Sequence, residues 1–418
     1  MCQSVCPVFL QSKYEGDVAR GKLALLDGLS REILTRPDRV LDRLNRCLLC
    51  GACERCCSRN VPLVEIFIKA RVMITTYTGL NPLKKVIFRF VLTRPALFET
   101  IVTYLSRLQG LFLNTASPEK NVKITRGIIP SLKGRHVLPL PHQSFRKELK
   151  TQGGADKKQA TSRRVVFFTG CLIDKLMPQV GHACLQVLKK AGMTVLFIND
   201  EACCGIPALA SGDSLAFQQL RGHNLARLQA LDFDVLVTAC ATCTSTITAQ
   251  WPMMDDKKND SLTEFIRDVA GRTMDITEFV MTHGQGIVEK IVPIHENTLP
   301  ISITFHDPCH LKGKGQALAF ARRLLASLPG YDVVEMDKPG LCCGSGGSFN
   351  LSHYDLSRQI GQEKIRSIVS SGASQVVTAC PGCMLQLTDM LAREGSPVRV
   401  RHIMELLAES LGFPSEGK

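Results

Sequence analysis

The second half of the chain is an internal duplication organised around cysteines. Segment 165–174 (VVFFTGCLID) aligns with segment 301–310 (ISITFHDPCH), and two more cysteine-bearing segments follow each of them in the same order. The landmark cysteines pair between the copies in this way: Cys171 with Cys309, Cys203 with Cys342, and Cys240 with Cys380. Their separations are 138, 139 and 140 residues. Such nearly constant spacing predicts two lobes with one fold.

Each copy has the pattern of an α/β lobe. From residue 163 onward, short apolar runs such as VVFFT and FDVLVTA alternate with helical patterns, which is typical of βα units on a largely parallel sheet. In each copy the cysteines follow the carboxyl ends of predicted strands. Loops at that edge of an open α/β sheet bind ligands, so we expect three loops per lobe to converge on one site.

The first half of the chain carries a different cysteine pattern. Cys47, Cys50, Cys53 and Cys57 are spaced C-x2-C-x2-C-x3-C, the spacing of bacterial ferredoxins. In two-cluster ferredoxins the fourth cysteine of each run binds the other cluster. Cys6, which a proline follows, is therefore expected to complete a 4Fe–4S site with the first three cysteines of the run. A zinc site, the alternative, would need no second run at this spacing.

The same rule assigns Cys57 to a second cluster. Its partners would be Cys2 and two cysteines that lie before residue 1. We therefore expect Met1 to be an internal residue of a longer natural chain. The alternative is a chain that begins here and has lost this cluster. Cys56 matches no ligand position and is expected to be a packing residue.

These patterns predict an α/β protein with a mostly helical N-terminal module. The expected divisions are a ferredoxin-type 4Fe–4S module with a helical extension at 1–113, a linker at 114–162, and two duplicated α/β lobes at 163–290 and 291–418. The linker is predicted from its prolines and its lack of periodicity.

Each lobe contributes five cysteines to its predicted site. The spacings are C-x31-CC-x35-C-x2-C and C-x32-CC-x36-C-x2-C. The candidate metal ligands are Cys171, Cys203, Cys204, Cys240 and Cys243 in the first lobe, and Cys309, Cys342, Cys343, Cys380 and Cys383 in the second. Five thiols exceed what a tetrahedral zinc or a single cubane needs. The pattern leaves open one, two or no further clusters, and zinc in one lobe.

This pattern resembles the cysteine-rich CCG domain of heterodisulfide reductase catalytic subunits and their relatives. Those relatives include the iron–sulfur subunits of glycolate oxidase, of lactate-oxidising complexes and of anaerobic glycerol-3-phosphate dehydrogenase. The resemblance covers nearly the whole chain, and the segments CCGSGGSFNLS and ACPGCMLQL are most similar to the 2-hydroxy-acid group. It implies a non-cubane 4Fe–4S cluster bound by the five cysteines of each lobe.

Two histidines flank Cys309 in the second copy. His306 and His310 stand on either side of it in the segment HDPCH. Either imidazole could relay protons to a reducible thiolate, and either could instead hydrogen-bond a loop.

The formal net charge of +13 does not by itself indicate a nucleic-acid partner. Clusters held by thiolates are negatively charged and would offset part of that excess. One tryptophan and five tyrosines also supply few side chains for base stacking. We therefore expect no binding to nucleic acid. No secretory leader is recognisable, so a cytoplasmic protein is expected.

Two apolar segments, 62–80 and 82–113, are interrupted by charges and do not have the pattern of spanning helices. We expect them to pack against the cluster module or a partner subunit. The alternative is a basic amphipathic surface that lies on the inner face of an anionic membrane through Lys84, Lys85, Arg89 and Arg94.

No strand in the sequence is followed by the G-x-G-x-x-G of a dinucleotide site. Substrate oxidation is therefore expected on a partner chain, an FAD-containing dehydrogenase subunit. This chain would pass electrons from glycolate or lactate oxidation to quinone or another acceptor. The alternative is a heterodisulfide-reductase-like subunit that reduces a disulfide at a CCG cluster.

Overall fold

The N-terminal region is helical, because its apolar residues recur at helical spacing between prolines that begin new helices. The computed structural model describes residues 2–117, 122–126, 134–151, 163–255, 259–284, 286–292, 299–313 and 316–414. A 3₁₀ turn at Glu15–Asp17 and a π-helical segment at Ile87–Leu92 accompany the α-helices of this region. Those helices are α1 (Pro7–Ser12), α2 (Ala19–Ser30), α3 (Pro37–Asn45), α4 (Ala52–Arg55), α5 (Leu63–Thr78), α6 (Pro82–Val86) and α7 (Pro95–Phe112).

The stretch that was predicted to be a linker contains regular structure where it is described. Residues 118–121, 127–133 and 152–162 of it lie outside the described residues. Three short strands form an antiparallel sheet and a helix follows: β1 (Leu113–Ser117), β2 (Val122–Thr125), β3 (His136–Val137) and α8 (Phe145–Thr151). The strands are too short and polar to show a clear alternation, which explains why the sequence did not reveal them.

The first lobe is built on a four-stranded parallel sheet with the order β5-β4-β6-β7. The strand β4 is apolar on both faces, and residues 165–168 in it are fully buried. Helices cover the sheet, and a π-helical segment lies at Thr246–Gln250. In chain order the elements are β4 (Arg164–Phe168), α9 (Gly170–Leu176), α10 (Pro178–Lys190), β5 (Thr194–Leu196), α11 (Ile206–Ala210), α12 (Ser214–Leu228), β6 (Val235–Thr238), α13 (Ala241–Ser245), α14 (Trp251–Met253), α15 (Asp260–Gly271), β7 (Thr273–Asp275) and α16 (Ile276–His283), and a 3₁₀ turn follows at Val288–Lys290.

The second lobe repeats this topology. Its parallel sheet has the order β9-β8-β10-β11, which matches the first sheet strand for strand. The predicted α/β class and the duplication are thereby confirmed. The elements are β8 (Ile301–Phe305), α17 (Ala317–Ala326), β9 (Tyr331–Val333), α18 (Ser348–Ser352), α19 (Tyr354–Val369), β10 (Gln375–Thr378), α20 (Pro381–Arg393), β11 (Arg399–His402) and α21 (Ile403–Ser410).

The two lobes pack directly against each other. Helix α10 of the first lobe contacts α21 of the second. At the sheet edges, the N–H of Ala241 donates to the carbonyl oxygen of Ala379 at 3.2 Å. Since Ala241 follows Cys240 and Ala379 precedes Cys380, this contact brings the cysteine loops of the two lobes together. The exact domain boundaries stay a prediction.

Within the described residues, none of the helices combines the length and the apolar character that crossing a bilayer requires.

Candidate metal centres

The four predicted ligands of the ferredoxin-type site line one cavity. Cys6, Cys47, Cys50 and Cys53 surround it, and apolar side chains that include Phe67 complete its wall. Three of these cysteines come from the segment between α3 and α4 and from α4 itself, whereas Cys6 directly precedes α1. The fold thus brings together the two cysteine runs that the spacing predicted to share a site.

Local backbone geometry turns these thiols toward the cavity. Cys6 is the N-cap of α1, and its Sγ accepts a hydrogen bond from Phe9 N at 3.5 Å. Cys47 Sγ accepts one from Leu49 N at 3.4 Å. The backbone at Leu49 and Gly51 is left-handed, with φ of 54° and 69°. Amide N–H groups directed at sulfur favour the thiolate, which is the form that binds metal.

The charge balance of this cavity fits a bound cluster. Burial, with repulsion from Cys47 and Cys6, raises the pKa of Cys53 to about 12. Burial and the nearby thiol of Cys342 likewise raise the pKa of Cys50. Four thiolates in an apolar cavity are therefore unfavourable without a cation, so metal binding and thiol deprotonation are coupled here.

Two buried cations beside this site carry no sequence signal. Lys22 in α2 is only 1% exposed, and its ammonium donates to the carbonyl oxygen of Asp17. Arg71 in α5 is also buried and donates to the carbonyl oxygens of Leu44 at 2.5 Å and Cys47 at 2.7 Å. Both occupy ordinary helix positions, so no motif marks them. Their charges favour thiolates and thiolate-bound clusters in the adjacent cavity.

The predicted second ferredoxin-type site is placed differently. Neither Cys2 nor Cys57 lines the cavity of the first site. Hydrogen bonds from the backbone N–H groups of Val61, Arg59 and Asn60 lower the pKa of Cys57. The pairing of Cys57 with Cys2 stays a prediction. Cys56 Sγ donates to the carbonyl oxygen of Cys53 at 3.4 Å, which ties α4 to the loop after it.

In the first lobe the five cysteines lie at the carboxyl edge of the sheet. Cys171 follows β4, Cys203 and Cys204 follow β5, and Cys240 and Cys243 follow β6. The Sγ atoms of Cys171 and Cys203 are 3.8 Å apart. Hydrogen bonds from the thiols of Cys203 and Cys243 lower the pKa of Cys204. The three loops therefore converge on one group of thiols, as predicted from the strand pattern.

The second lobe has the same arrangement. Cys309 follows β8, Cys342 and Cys343 follow β9, and Cys380 and Cys383 begin α20 after β10. The Sγ atoms of Cys343 and Cys383 are 3.4 Å apart. Hydrogen bonds from the thiols of Cys309 and Cys343 lower the pKa of Cys342. All eighteen cysteines of the chain are free thiols, so none of these contacts is a disulfide.

The glycine after each adjacent cysteine pair keeps its loop tight. Gly205 and Gly344 have φ of 97° and 87°. A Cβ atom on Gly205 would come within 2.6 Å of the Phe217 ring, and one on Gly344 within 2.5 Å of the Ser357 carbonyl oxygen. Only glycine fits both the backbone conformation and the space.

Polar side chains outside the motifs fix the first of these loops. Asn224 Oδ1 accepts a hydrogen bond from Ala202 N at 2.9 Å, and its Nδ2 donates to Cys203 O at 3.3 Å. Trp251 Nε1 donates to Cys204 O at 3.0 Å. Sequence reasoning missed these residues because they lie on helices far along the chain from the cysteines they position.

Spacing between sulfurs tests whether the two lobe sites fit a metal. Two sulfurs bound about 2.3 Å from one tetrahedral metal lie about 3.8 Å apart. The separation of 3.8 Å between Cys171 and Cys203 matches that geometry, and the separation of 3.4 Å between Cys343 and Cys383 is slightly shorter. One pair of thiols in each lobe is therefore close enough to share a metal atom.

The sites of the two lobes meet at the interface between the lobes. The hydroxyl of Thr242 in the first lobe lies 3.6 Å from Cys380 Sγ and 3.1 Å from His310 Nδ1 in the second. A hydrogen bond from the thiol of Cys240 lowers the pKa of Cys380. The cysteine loops of the first lobe are therefore in direct contact with those of the second lobe.

The ferredoxin-type site adjoins the second lobe. Cys50 and Cys342 both pack against a small apolar group that contains Leu48 and Phe349, which we call the bridging core; its members are Val8, Leu48, Phe349 and Ile360. A Cβ on Gly313 would lie 3.3 Å from Arg55 Cδ, so α4 and the loop after Cys309 are also in contact. The three cysteine sites are thus contiguous in the fold.

The two histidines of the second lobe have different environments. His310 Nδ1 is hydrogen-bonded to the hydroxyl of Thr242, which lies in α13 of the first lobe. His306 makes no such bond, since its two ring nitrogens are buried without a hydrogen-bond partner among the described residues. Burial lowers the pKa of both imidazoles.

A buried lysine beside the second-lobe site is a further residue that the sequence did not reveal. Lys364 on α19 is buried and donates to the carbonyl oxygens of Lys338 at 3.0 Å and Pro339 at 2.9 Å. Burial lowers its pKa to about 8, against the opposing attraction of Asp307 and the thiol of Cys343.

Comparison with known proteins identifies the lobes. Residues 165–248 and 303–388 each match the cysteine-rich domain family CCG. Lactate utilization protein A 2 of Bacillus mycoides is 30% identical over 246 residues, which are 58% of this chain and 98% of that protein. The chain belongs to the family of CCG-domain iron–sulfur proteins. Each CCG match lies in one of the two parallel-sheet lobes and covers three of its four strands.

Two further relatives of this CCG protein cover different shares of the chain. The probable glycolate oxidase iron-sulfur subunit of Bacillus subtilis is 28% identical over 98% of this chain and 92% of its own length. A fumarate reductase (CoM/CoB) subunit of Methanothermobacter marburgensis is 34% identical over 60% of this chain, which spans 47% of that relative. The expected resemblance to CCG proteins is thereby confirmed.

Proposed function

We propose that the chain is the iron–sulfur electron-transfer subunit of a flavin-dependent complex that oxidises a 2-hydroxy acid, glycolate or lactate. One observation carries this proposal: Cys50 of the ferredoxin-type site and Cys342 of the second lobe pack on the same bridging core. Adjacent redox sites in one chain suit the passage of electrons. Relatives named as glycolate oxidase and lactate utilization proteins support the substrate class.

The residues that would hold the clusters are those of the sites above. Cys6, Cys47, Cys50 and Cys53 would bind one 4Fe–4S cluster, and the five cysteines of each lobe would bind a further one. When bound, such clusters accept and release single electrons. The chain's own residues supply apolar walls that exclude water, amide N–H groups that stabilise thiolates, and the buried cations Lys22 and Arg71.

The partner that supplies electrons would be an FAD-containing dehydrogenase subunit. The support is the names of the relatives, which refer to glycolate oxidase and to lactate utilization. We further propose that the acceptor is a quinone, reached at the inner face of a membrane, where a cytoplasmic subunit would bind peripherally.

The surface of α5 to α7 supports that placement. Apolar side chains at helical spacing are exposed there, among them Tyr77 at 84% and Leu111 at 64%. Lys84 and Lys85 lie at the end of α6 beside them. Exposed apolar residues next to basic ones are typical of surfaces that lie on anionic lipid.

Anaerobic co-purification tests the proposal. The chain would be co-expressed with candidate flavoprotein subunits and purified without oxygen. The expected result is a complex that contains iron, sulfide and FAD and that reduces a quinone analogue when glycolate or lactate is added. A chain that contains zinc without iron would refute the proposal, as would an iron-loaded complex that transfers no electrons from either acid.

A second candidate is a disulfide reductase of the heterodisulfide type. It is favoured by the contact of the two lobe sites through Thr242 and Cys380, which puts two groups of thiols on either side of one interface. This candidate predicts that the reduced chain alone is oxidised by a disulfide substrate, with no flavoprotein present.

A further inference from the structure

His306 is a buried imidazole for which the protein supplies no hydrogen-bond partner. Its side chain is about 1% exposed, and neither Nδ1 nor Nε2 has a partner among the described residues. Leaving a buried polar group unpaired costs free energy, so such a group requires an explanation. An ion or cluster that the ring nitrogen binds would remove that cost.

The neighbours of His306 are those of a metal ligand. One ring nitrogen of His306 and the Sγ atoms of Cys343 and Cys383 all lie within 4.8 Å of one another, and all three residues are buried. The two sulfurs are already 3.4 Å apart, close to the separation of two ligands on one tetrahedral metal. Imidazole nitrogen and thiolate sulfur are both common ligands of iron and zinc.

The backbone holds the ring in this position. His306 directly follows β8, and its N–H donates to Val377 O at 2.9 Å. Its carbonyl oxygen accepts from Thr378 Oγ1 at 3.2 Å. Both partners belong to β10, the strand that leads to Cys380 and Cys383. These bonds fix the backbone of His306 between the ends of β8 and β10.

The first lobe lacks this residue. Cys309 corresponds to Cys171, so the residue three positions earlier in the first lobe is Phe168. Phe168 is fully buried, and its ring lies 3.9 Å from the Cβ position of Gly170, which itself would be 3.0 Å from Cys243 Sγ. The same place in the two lobes thus holds an apolar ring in one and an imidazole in the other.

We propose that His306 binds the metal centre of the second lobe through a ring nitrogen, beside Cys343 and Cys383. The first lobe's centre is held by thiolates alone. This inference deepens the proposed function and rests on it for the presence of a cluster. The second lobe then has a neutral nitrogen ligand in addition to its five cysteines, and exchanging such an imidazole for a thiolate lowers the reduction potential of an iron–sulfur centre.

The test is pulsed electron paramagnetic resonance on anaerobically purified protein with clusters in a paramagnetic state. Protein labelled with ¹⁵N-histidine is compared with unlabelled protein. The expected result is a nitrogen coupling that changes on labelling and disappears in H306F, which copies the first lobe. The coupling is expected to persist in H310N, since His310 is hydrogen-bonded to Thr242.

A second variant covers the case in which H306F does not fold. In H306C a thiolate takes the place of the imidazole, and the expected result is unchanged iron and sulfide content with a lower midpoint potential of one centre. The inference is overturned if iron-loaded wild-type protein shows no histidine coupling, or if the potential in H306C is unchanged. Absence of iron and sulfide from the wild-type protein would instead refute the proposed function, so the two failures are distinguishable.

Discussion

Gly346 lies directly against Leu48. A Cβ atom built on Gly346 would come within 2.4 Å of Leu48 Cδ2, and the φ of Gly346 is 54°. Leu48 is one of the two residues between the predicted ferredoxin-type ligands Cys47 and Cys50, and Gly346 follows the adjacent cysteine pair of the second lobe. Through Leu48, a member of the bridging core, this contact directly links the loop of the N-terminal site to the cysteine loop of the second lobe.

The first prediction concerns this link. G346A is expected to displace Leu48 and to slow electron exchange between the ferredoxin-type centre and the second lobe several-fold, because the two loops can no longer pack closely. The measurement is rapid-freeze electron paramagnetic resonance after partial reduction. G372A is the matched control: Gly372 has a φ of 74°, but a Cβ there meets nothing within 4 Å.

The double variant L48A/G346A separates packing from backbone strain. Removing the Leu48 side chain relieves the contact and is expected to restore part of the rate. Equal slowing by G346A and G372A would show that the positive φ, rather than the Leu48 contact, determines the effect.

The second prediction concerns cluster content. C6S removes a ligand from the cavity shared with Cys47, Cys50 and Cys53, so iron should fall by up to about four atoms per chain. The measurement is iron and sulfide analysis after anaerobic purification. C56S is the control, because Cys56 does not line the cavity and donates to the carbonyl oxygen of Cys53. Comparable iron loss in both variants would contradict the ligand assignment.

The third prediction concerns Lys22. Its buried charge favours the reduced, more negative state of a cluster in the adjacent cavity. K22M should therefore lower the midpoint potential of that cluster, by roughly 40 mV for each 1 kcal/mol or so of attraction lost, since one electron is transferred. Spectroelectrochemical titration measures it. K69M is the control, since Lys69 is exposed and pairs with Glu65 at 2.6 Å.

The fourth prediction concerns the surface of α5 to α7. Wild-type protein should float with vesicles that contain anionic phospholipid and not with neutral ones. The double substitution L108E/L111E, on the exposed face of α7, should abolish flotation because glutamates are repelled by anionic lipid. L215E is the control, because Leu215 is also exposed but lies on α12 of the first lobe. Unchanged flotation of the double variant would show that this face of α7 does not bind the lipid.

The sequence predicted the duplicated α/β fold because cysteine spacing and buried-strand patterns are local signals. It also predicted which cysteines share a cavity, since Cys6 and the run from Cys47 to Cys53 follow a spacing rule. It could not reveal Lys22 or Lys364, because a buried cation on a helix has the same local pattern as an exposed one. Only the tertiary contacts place such residues beside thiols.

The environment of His306 shows the same limit. The segment HDPCH suggested either a proton relay or a hydrogen bond to a loop. The sequence of the segment does not distinguish these two roles. The difference between His306 and Phe168 becomes informative only when the two strand ends are known to occupy equivalent places in two sheets.

The last prediction concerns pH and His402, which links the lobes. Its Nε2 lies 3.0 Å from Ala239 O, and its Nδ1 accepts from Met404 N. Burial lowers the pKa of His402 from 6.5 to about 4. Between those values the unfolded chain takes up a proton that the folded chain does not, so stability falls as pH falls from 6.5 to 4, by roughly 3 kcal/mol.

The asparagine in H402N can still cap α21 but does not titrate. The difference in unfolding free energy between wild type and H402N, measured in urea, should therefore shrink by that amount between pH 7 and pH 4. Acidic groups such as Asp275 affect both proteins equally and cancel. A difference that does not change with pH would show that His402 is not the group responsible.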